Sequence, residues 1–225
     1  MSARRALRTG GLWFDGMDDY AALSGFRYPE MTLLVWVNPD YQLPGVFQAS
    51  KDIIRKGDEW GVTTVPAFNT NGRLIVNLRY FGASVQWIYP VTPLSILRWN
   101  FVAVVWRMPA GTVTTYINGV KEVFSPGSGN MWTDTLPLRI AYGYAGYFKG
   151  VVGEVRVYNR ALSDDEIRAI YERGELIRDG LVLHLDFSEY EGDVAYDKSG
   201  CGNHATIYGA RWVVKKPLRV LSKAR

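Results

Sequence analysis

Apolar side chains in this chain recur at every second residue, a spacing that fits extended strands rather than helices. In Met31–Asn38, Met31, Leu33, Val35 and Val37 fall on one face, and Thr32, Leu34, Trp36 and Asn38 on the other. Both faces are largely apolar, the pattern of an inner strand covered on both sides. Arg73–Phe81 sets Leu74, Val76, Leu78 and Tyr80 against Arg73, Ile75, Asn77 and Arg79. Phe101–Arg107 reads as another buried strand, and Leu181–Phe187 places Leu181, Leu183, Leu185 and Phe187 on one face. Within Thr112–Phe124, two β-rich runs flank Asn118-Gly119, the dipeptide that tolerates positive φ at both central turn positions, so this stretch predicts a hairpin.

With 225 residues, of which 48% are apolar and 14% aromatic, the chain can build one large all-β domain with a substantial core. The single helix signal lies at about 163–173. Ser163 opens S-D-D-E, so its hydroxyl can cap the amide three residues on while Glu166 reaches back. Asp164 and Asp165 suit the positive end of the helix dipole, Ile167, Ile170 and Tyr171 form an apolar stripe, and Gly174 supplies the stop.

The formal charge is +4, yet it is concentrated at the ends. Residues 1–10 form a basic arm with Arg4, Arg5 and Arg8, and residues 214–225 form another with Lys215, Lys216, Arg219, Lys223 and Arg225. Neither arm holds an acid. Without those eight, the remaining 18 basic and 22 acidic residues leave the body, 11–213, near −4. Such arms suit nucleic acid, an anionic surface or an acidic neighbour, and they also solubilise. One cysteine, Cys201, excludes an intramolecular disulfide. MSARRALRTG is not followed by the apolar region of a signal peptide, so synthesis in the cytoplasm is expected, with incorporation into a virion or released particle as one route outward. The longest apolar runs fall well short of the roughly 18–20 residues that span a bilayer.

Three segments carry a family resemblance: GLWFDGMDDYAAL (11–23), GVVGEVRVYNRALSDDEI (150–167) and GLVLHLDFSEYEGDVAYDKSGCGNHATIYGARWV (180–213). Together they resemble the laminin-G-like, concanavalin A-like lectin/glucanase sandwiches. The resemblance implies a two-sheet antiparallel jelly-roll β-sandwich with one short helix. In that family the L-x-L-x-F…D-x-S-G-x-G-N-H segment comes first and F-D-G-x-D-D-Y follows. Here the order is reversed, so the chain reads either as circularly permuted or as offering Leu181–Phe187 to a neighbouring subunit.

The resemblance also implies chemistry. Many such sandwiches bind one calcium at the rim, and the matching positions are Asp15, Asp18, Asp19, Glu154 and Asn159, with Gly153 where the family has a further aspartate. The alternative is that Asp18 and Asp19 shape a turn and Glu154 pairs with Arg156 or Arg139. Laminarinase-like relatives use alternating carboxylates on one strand, and the only comparable run, Glu189, Glu191 and Asp193, is interrupted by Gly192 and out of order. His184 and His204 have no triad or zinc-like spacing, so no catalytic residue is assigned and the chain reads as no enzyme.

Exposed Trp and Tyr rings match the apolar faces of pyranoses, and Trp60, Trp132, Tyr142, Tyr144 and Tyr147 lie in or beside expected loops. Rings of this kind also anchor protein partners or pack in the core. Two functional classes follow. One is a structural, self-associating component of an assembly such as a virion coat, decoration or attachment protein. The other is a lectin-like module that recognises a glycan.

Overall fold

In the computed structural model, the described residues are 10–26, 28–40, 51–56, 60–65, 73–78, 86–107, 109–127, 136–143 and 146–213, with backbone alone for 60–65, 73 and 77–78. The strands, in chain order, begin with β1 (Gly11–Asp15), β2 (Tyr20–Leu23), β3 (Glu30–Pro39), β4 (Lys51–Lys56), β5 (Trp60–Val65) and β6 (Arg73–Leu78). They continue with β7 (Gln86–Ile88), β8 (Asn100–Arg107), β9 (Thr112–Ile117), β10 (Val120–Phe124), β11 (Leu138–Ile140) and β12 (Tyr142–Gly143). The last are β13 (Gly146–Tyr147), β14 (Lys149–Tyr158), β15 (Leu181–Leu185), β16 (Val194–Ala195), β17 (Ala205–Tyr208) and β18 (Arg211–Val213).

These strands build two sheets. One runs β10-β9-β8-β3-β14-β1-β18, with β15 also on β14; the other runs β16-β17-β2-β11-β4-β5-β6-β7, with the small β12–β13 hairpin on β4. Apart from the β13–β4 contact, the pairings are antiparallel. The core lies between the sheets. Met31, Leu33, Val35 and Val37 point into it from β3, as their alternation predicts, together with Val102, Val104 and Trp106 of β8. Leu74, Val76, Ile88, Leu138 and Ile140 meet them from the other sheet. Each such side chain contributes about 1.5–3 kcal/mol of apolar burial.

The opposite face of the first sheet is apolar because it is covered too. Leu34, Phe101, Ala103, Val105, Tyr116 and Tyr158 pack under the helical segment that supplies Ile167 and Ile170. That segment is α1 (Asp164–Arg168), which widens into a π-turn over Ala169–Arg173 and ends at Gly174 in the left-handed conformation. The capping box forms as read from S-D-D-E: the Glu166 amide donates to Ser163 Oγ at 3.3 Å and the Ser163 amide donates to Glu166 Oε2 at 2.8 Å. The β9–β10 hairpin turns on Asn118 (φ 52°) and Gly119 (φ 88°), both left-handed as the dipeptide predicts.

The reversed order of the ends closes within the chain. Strand β14 pairs with β3 along one side; along the other, β1 takes its first half (Leu12↔Val152) and β15 its second (Val155↔Leu185). The chain's first and fifteenth strands therefore lie end to end on one track. β17 pairs with β2 and β18 with β1, and Gly11 is directly opposite Val213. The free edge of β15 is occupied by the D-K-S-G-C-G-N turn. Lys198 donates its amide to the His184 carbonyl at 2.8 Å, and Asn203 Nδ2 donates to the Val182 carbonyl at 2.8 Å. Main-chain and side-chain groups of the turn thus replace a neighbouring strand, which blunts an edge that would otherwise pair with another chain.

The basic segments 1–9 and 214–225 lie outside the described residues. Among the described residues, no helix is long and apolar enough to cross a membrane.

Candidate functional site

The outward face of the second sheet gathers polar and aromatic side chains at the β17–β2–β11 end. Direct cross-strand partners share a face, and Ile207, Ala21, Ile140 and Ile54 form one inward row. The adjacent outward row is therefore Thr206, Ala22, Arg139 and Arg55. The next outward pair is Tyr208 opposite Tyr20.

Two more tyrosines extend that pair into a row of four. Tyr208 stacks on Tyr20 with ring centroids 4.5 Å apart and planes at 17°. Tyr20 meets Tyr142 at 5.6 Å and 48°, and Tyr142 stacks on Tyr147 at 4.4 Å and 19°. The Arg139 guanidinium carbon lies 5.3 Å from the Tyr142 centroid. The inner rings spend their faces on one another and on the arginine, so what they offer outward is edges and phenol hydroxyls. Partial burial first, then Tyr142, Tyr20 and Asp18 beside it, hold the Tyr147 phenol above the usual tyrosine range. The Tyr147 hydroxyl is therefore a protonated donor at neutral pH.

Beside this row an open cavity of about 560 Å³ is lined by Ala22, Leu23, Ser24, Gly25, Pro137 and Tyr208. That volume is within the range of small-ligand sites. Its wall combines one large ring with small and backbone-rich residues, which leaves room over Ala22.

The turn preceding β2 brings the carboxylates of Asp15, Asp18 and Asp19 within 4.8 Å of one another. Asp19 Oδ2 accepts from the Asp15 amide at 2.9 Å, and Asp15 Oδ1 accepts from the Met17 amide at 2.7 Å. Burial first, with the Asp15 and Asp18 charges, raises the Asp19 carboxyl against the lowering bond from the Asp15 amide and the charge of Arg211. Gly209, which follows Tyr208 with φ +77°, crosses so close that a Cβ there would lie 2.1 Å from Asp19 Oδ1. That approach fixes the aspartate turn beside the tyrosine row.

The structure brings together three of the five residues matched to calcium positions. Glu154 and Asn159 lie elsewhere. The register pairs Asp15 with Lys149, which puts Glu154 five residues, about 17 Å, farther along β14. There Glu154 accepts from His184 Nε2 at 2.6 Å and from Arg156 Nε at 2.7 Å. Burial works to raise the Glu154 carboxyl, and His184 and Arg156 outweigh it, so the group sits below its ordinary value. Asn159 marks the end of β14 beside Gly180, to whose carbonyl its amide donates at 2.8 Å. The three aspartates still fit a hard cation: Asp15 and Asp19 each have an oxygen not spent on those amides, and Asp18 is exposed. Backbone carbonyls or water would have to complete the six to eight oxygens that calcium takes.

Of the aromatic candidates, Tyr142 and Tyr147 are in the row, while Trp132, Tyr144 and the Trp60 side chain lie outside the described residues. Tyr20, Tyr208 and Arg139 were not singled out by sequence as ligand contacts. Their signal was the outward phase of strands whose pairing partner stands at the far end of the chain. Glu189, Glu191 and Asp193 fall in the loop after β15, where Glu189 is paired with Lys198 at 2.7 Å.

A family model described as the concanavalin A-like lectin/glucanases superfamily matches residues 15–168, more than half of the chain. The chain belongs to this superfamily. The match ends before β15, the strand that stands first in the family's usual order. Solved structures align over a larger share of the chain. A candidate carbohydrate-binding protein from Bacteroides ovatus superposes with a TM-score of 0.72 at 21% identity, covering 92% of this chain. This chain spans 60% of that protein's length. A heptameric SAP-like pentraxin from Limulus polyphemus gives 0.64 at 14% identity, covering 89% of this chain and 95% of its own. The CBM40 of Ruminococcus gnavus IT-sialidase, solved with α2,3-sialyllactose, gives 0.56 at 15% identity, covering 72% and 96%. No curated protein sequence matches the chain.

Proposed function

We propose that this chain is a non-catalytic, lectin-like module that binds a glycan on the outward face of its second sheet. The observation that carries the reading is the cavity walled by Tyr208 at the end of the tyrosine row. Hydroxyl-rich ligands need a shaped apolar wall with donors and acceptors beside it, and here the phenols of the tyrosine row and the aspartate turn stand beside the cavity. Two of the similar structures carry carbohydrate binding in their descriptions, which supports the same reading. The aspartate turn (Asp15, Asp18, Asp19) would hold a calcium ion at the rim of this site.

Screening on a glycan array followed by calorimetry tests the proposal. Saturable binding that falls at least about tenfold in both Tyr20→Ala and Tyr208→Ala is expected, in proportion to the loss of one buried ring contact. Absence of binding across the array, by protein with an intact melting transition in excess calcium, would overturn it.

One observation favours a second reading, a structural component of an assembly. Gly11 is directly opposite Val213, so the two basic segments are tethered at one point of the surface. The eight positive charges that the two segments carry would suit an acidic partner, whether nucleic acid or another subunit. Light scattering of the full chain, with and without those segments, separates this role from that of a free-standing binding module.

A further inference from the structure

Arg139 differs from the other arginine of its row. Arg55, its direct partner on β4, is buried and held by Asp52 at 3.7 Å, beneath Gly143 of the β12–β13 hairpin. Arg139 has no carboxylate partner among the described residues. Two like charges directly opposite across a strand pair repel, and Asp52 compensates only one of them. The row thus keeps one uncompensated positive charge, half-buried at the edge of a cavity whose lining is itself uncharged.

The geometry of Arg139 leaves its donors available. Its guanidinium carbon lies over the Tyr142 ring, 5.3 Å from the centroid. A cation–π contact uses none of the fork's five N–H donors as a hydrogen bond to an oxygen. Ala22, the cross-strand partner of Arg139, is one of the cavity-lining residues, and Pro137, another, stands two positions before Arg139. The small side chain of Ala22 gives a ligand in the cavity access to the fork. Among the described residues Arg139 makes no ion pair with Asp15, Asp18 or Asp19, and the cation acting on Asp19 is Arg211.

We infer that the ligand of this site is an acidic saccharide, whose carboxylate or sulfate is received by the Arg139 fork while its sugar ring occupies the Tyr208-walled cavity. A planar fork matches either anion with two parallel N–H···O bonds, and such bonds are about twice as strong as neutral ones. Hydroxyls farther along the ring then meet phenol oxygens of the tyrosine row. The inference rests on the glycan reading above and adds the charge of the sugar and the residue that selects it.

Matched pairs of probes test it by calorimetry at low and high salt: sialyllactose against lactose, a hyaluronan tetrasaccharide against its carboxyl-reduced form, and galactose 6-sulfate against galactose. The acidic member of a pair should bind about tenfold or more tightly, with the advantage shrinking in salt. Arg139→Gln keeps much of the stem and should erase the difference while leaving the neutral member's affinity and the melting transition unchanged. Arg139→Lys should restore only part of it, since a point charge replaces the fork. Carboxylate pairs and the sulfate pair report separately which anion the site takes. Equal affinity for charged and neutral members overturns the inference and leaves the glycan reading standing. A preference for acid that survives Arg139→Gln overturns the assignment to this residue. Failure of every probe, neutral ones included, removes both readings together.

Discussion

The main-chain amide of His184, on β15, donates to Oδ1 of Asp197 at 2.9 Å. The same carboxylate accepts from the amides of Ser199 and Asn203 and from the Ser199 hydroxyl. One buried side chain therefore ends the sheet and folds the turn that follows. Burial works to raise the Asp197 carboxyl, and the bonds from Ser199, His184 and Asn203 hold it below the usual range. Asp197→Ala should cost about 3 kcal/mol in urea unfolding, because several donors lose a charged acceptor at once. A folded-state value below the unfolded one means this contribution is full above the ordinary carboxylate range. It is lost as pH falls through the folded value. A substitution cost that stays constant from neutral pH into strong acid would contradict this.

Glu154 does comparable work between β14 and β15, with Arg156 and His184 as its partners at 2.6–2.7 Å. Arg156 is almost wholly buried and also donates to the Glu175 carbonyl at 2.7 Å. Glu154→Ala strands a buried cation and should lower stability by about 3–5 kcal/mol. Arg156→Met in that background should recover part of the loss, since it removes the orphaned charge. If the double variant is no more stable than Glu154→Ala, the ion pair is not the cause.

Acid should also weaken the helix that covers the first sheet. Glu166 is lowered to about 2, chiefly by the hydrogen bonds from Arg160, with the Ser163 amide adding to it against the opposing effect of burial. Its stabilising contribution is complete above the unfolded value of about 4.5 and fades as pH drops toward 2. Glu166→Gln should cost about 1 kcal/mol at neutral pH, in the range of a lost cap contact. The variant should also show a shallower decline of melting temperature over that acid window. Parallel declines in the two proteins would assign the acid sensitivity to other groups.

Calcium gives the aspartate turn a direct readout. If Asp15, Asp18 and Asp19 hold the ion, saturating calcium at a hundredfold over the dissociation constant should add about 2.7 kcal/mol to stability. Chelator should reverse the gain. Asp18→Asn should abolish the response with little change in the metal-free protein, since Asp18 is exposed. A melting temperature indifferent to calcium and chelator disposes of the site.

The fold was legible where the information is local. Period-2 alternation assigned Met31, Leu33, Val35 and Val37 to the core, Asn118-Gly119 announced its hairpin, and S-D-D-E announced its helix start, because neighbouring residues set those outcomes. The site was legible only in pieces. Tyr142 and Tyr147 stood out from a glycine-spaced run, and the three aspartates were contiguous. Tyr208 and Tyr20 stack because β17 pairs with β2, a register decided by packing between opposite ends of the chain. Glu154 was grouped with the aspartates by resemblance. The strand register and the shift between Val152 and Val155 place it instead on the Arg156–His184 side of β14.

The pairing of Gly11 with Val213 has a mechanical consequence. Those two residues lie at the same end of the antiparallel β1–β18 ladder, where Gly11, Leu12 and Trp13 oppose Val213, Trp212 and Arg211. A tension applied through them pulls perpendicular to the strands and opens the ladder one rung at a time, instead of loading all its hydrogen bonds in parallel. The module would yield at low force from this corner, peeling β18 away first. The β3–β14–β15 centre of the sheet would bear load only after that corner had opened.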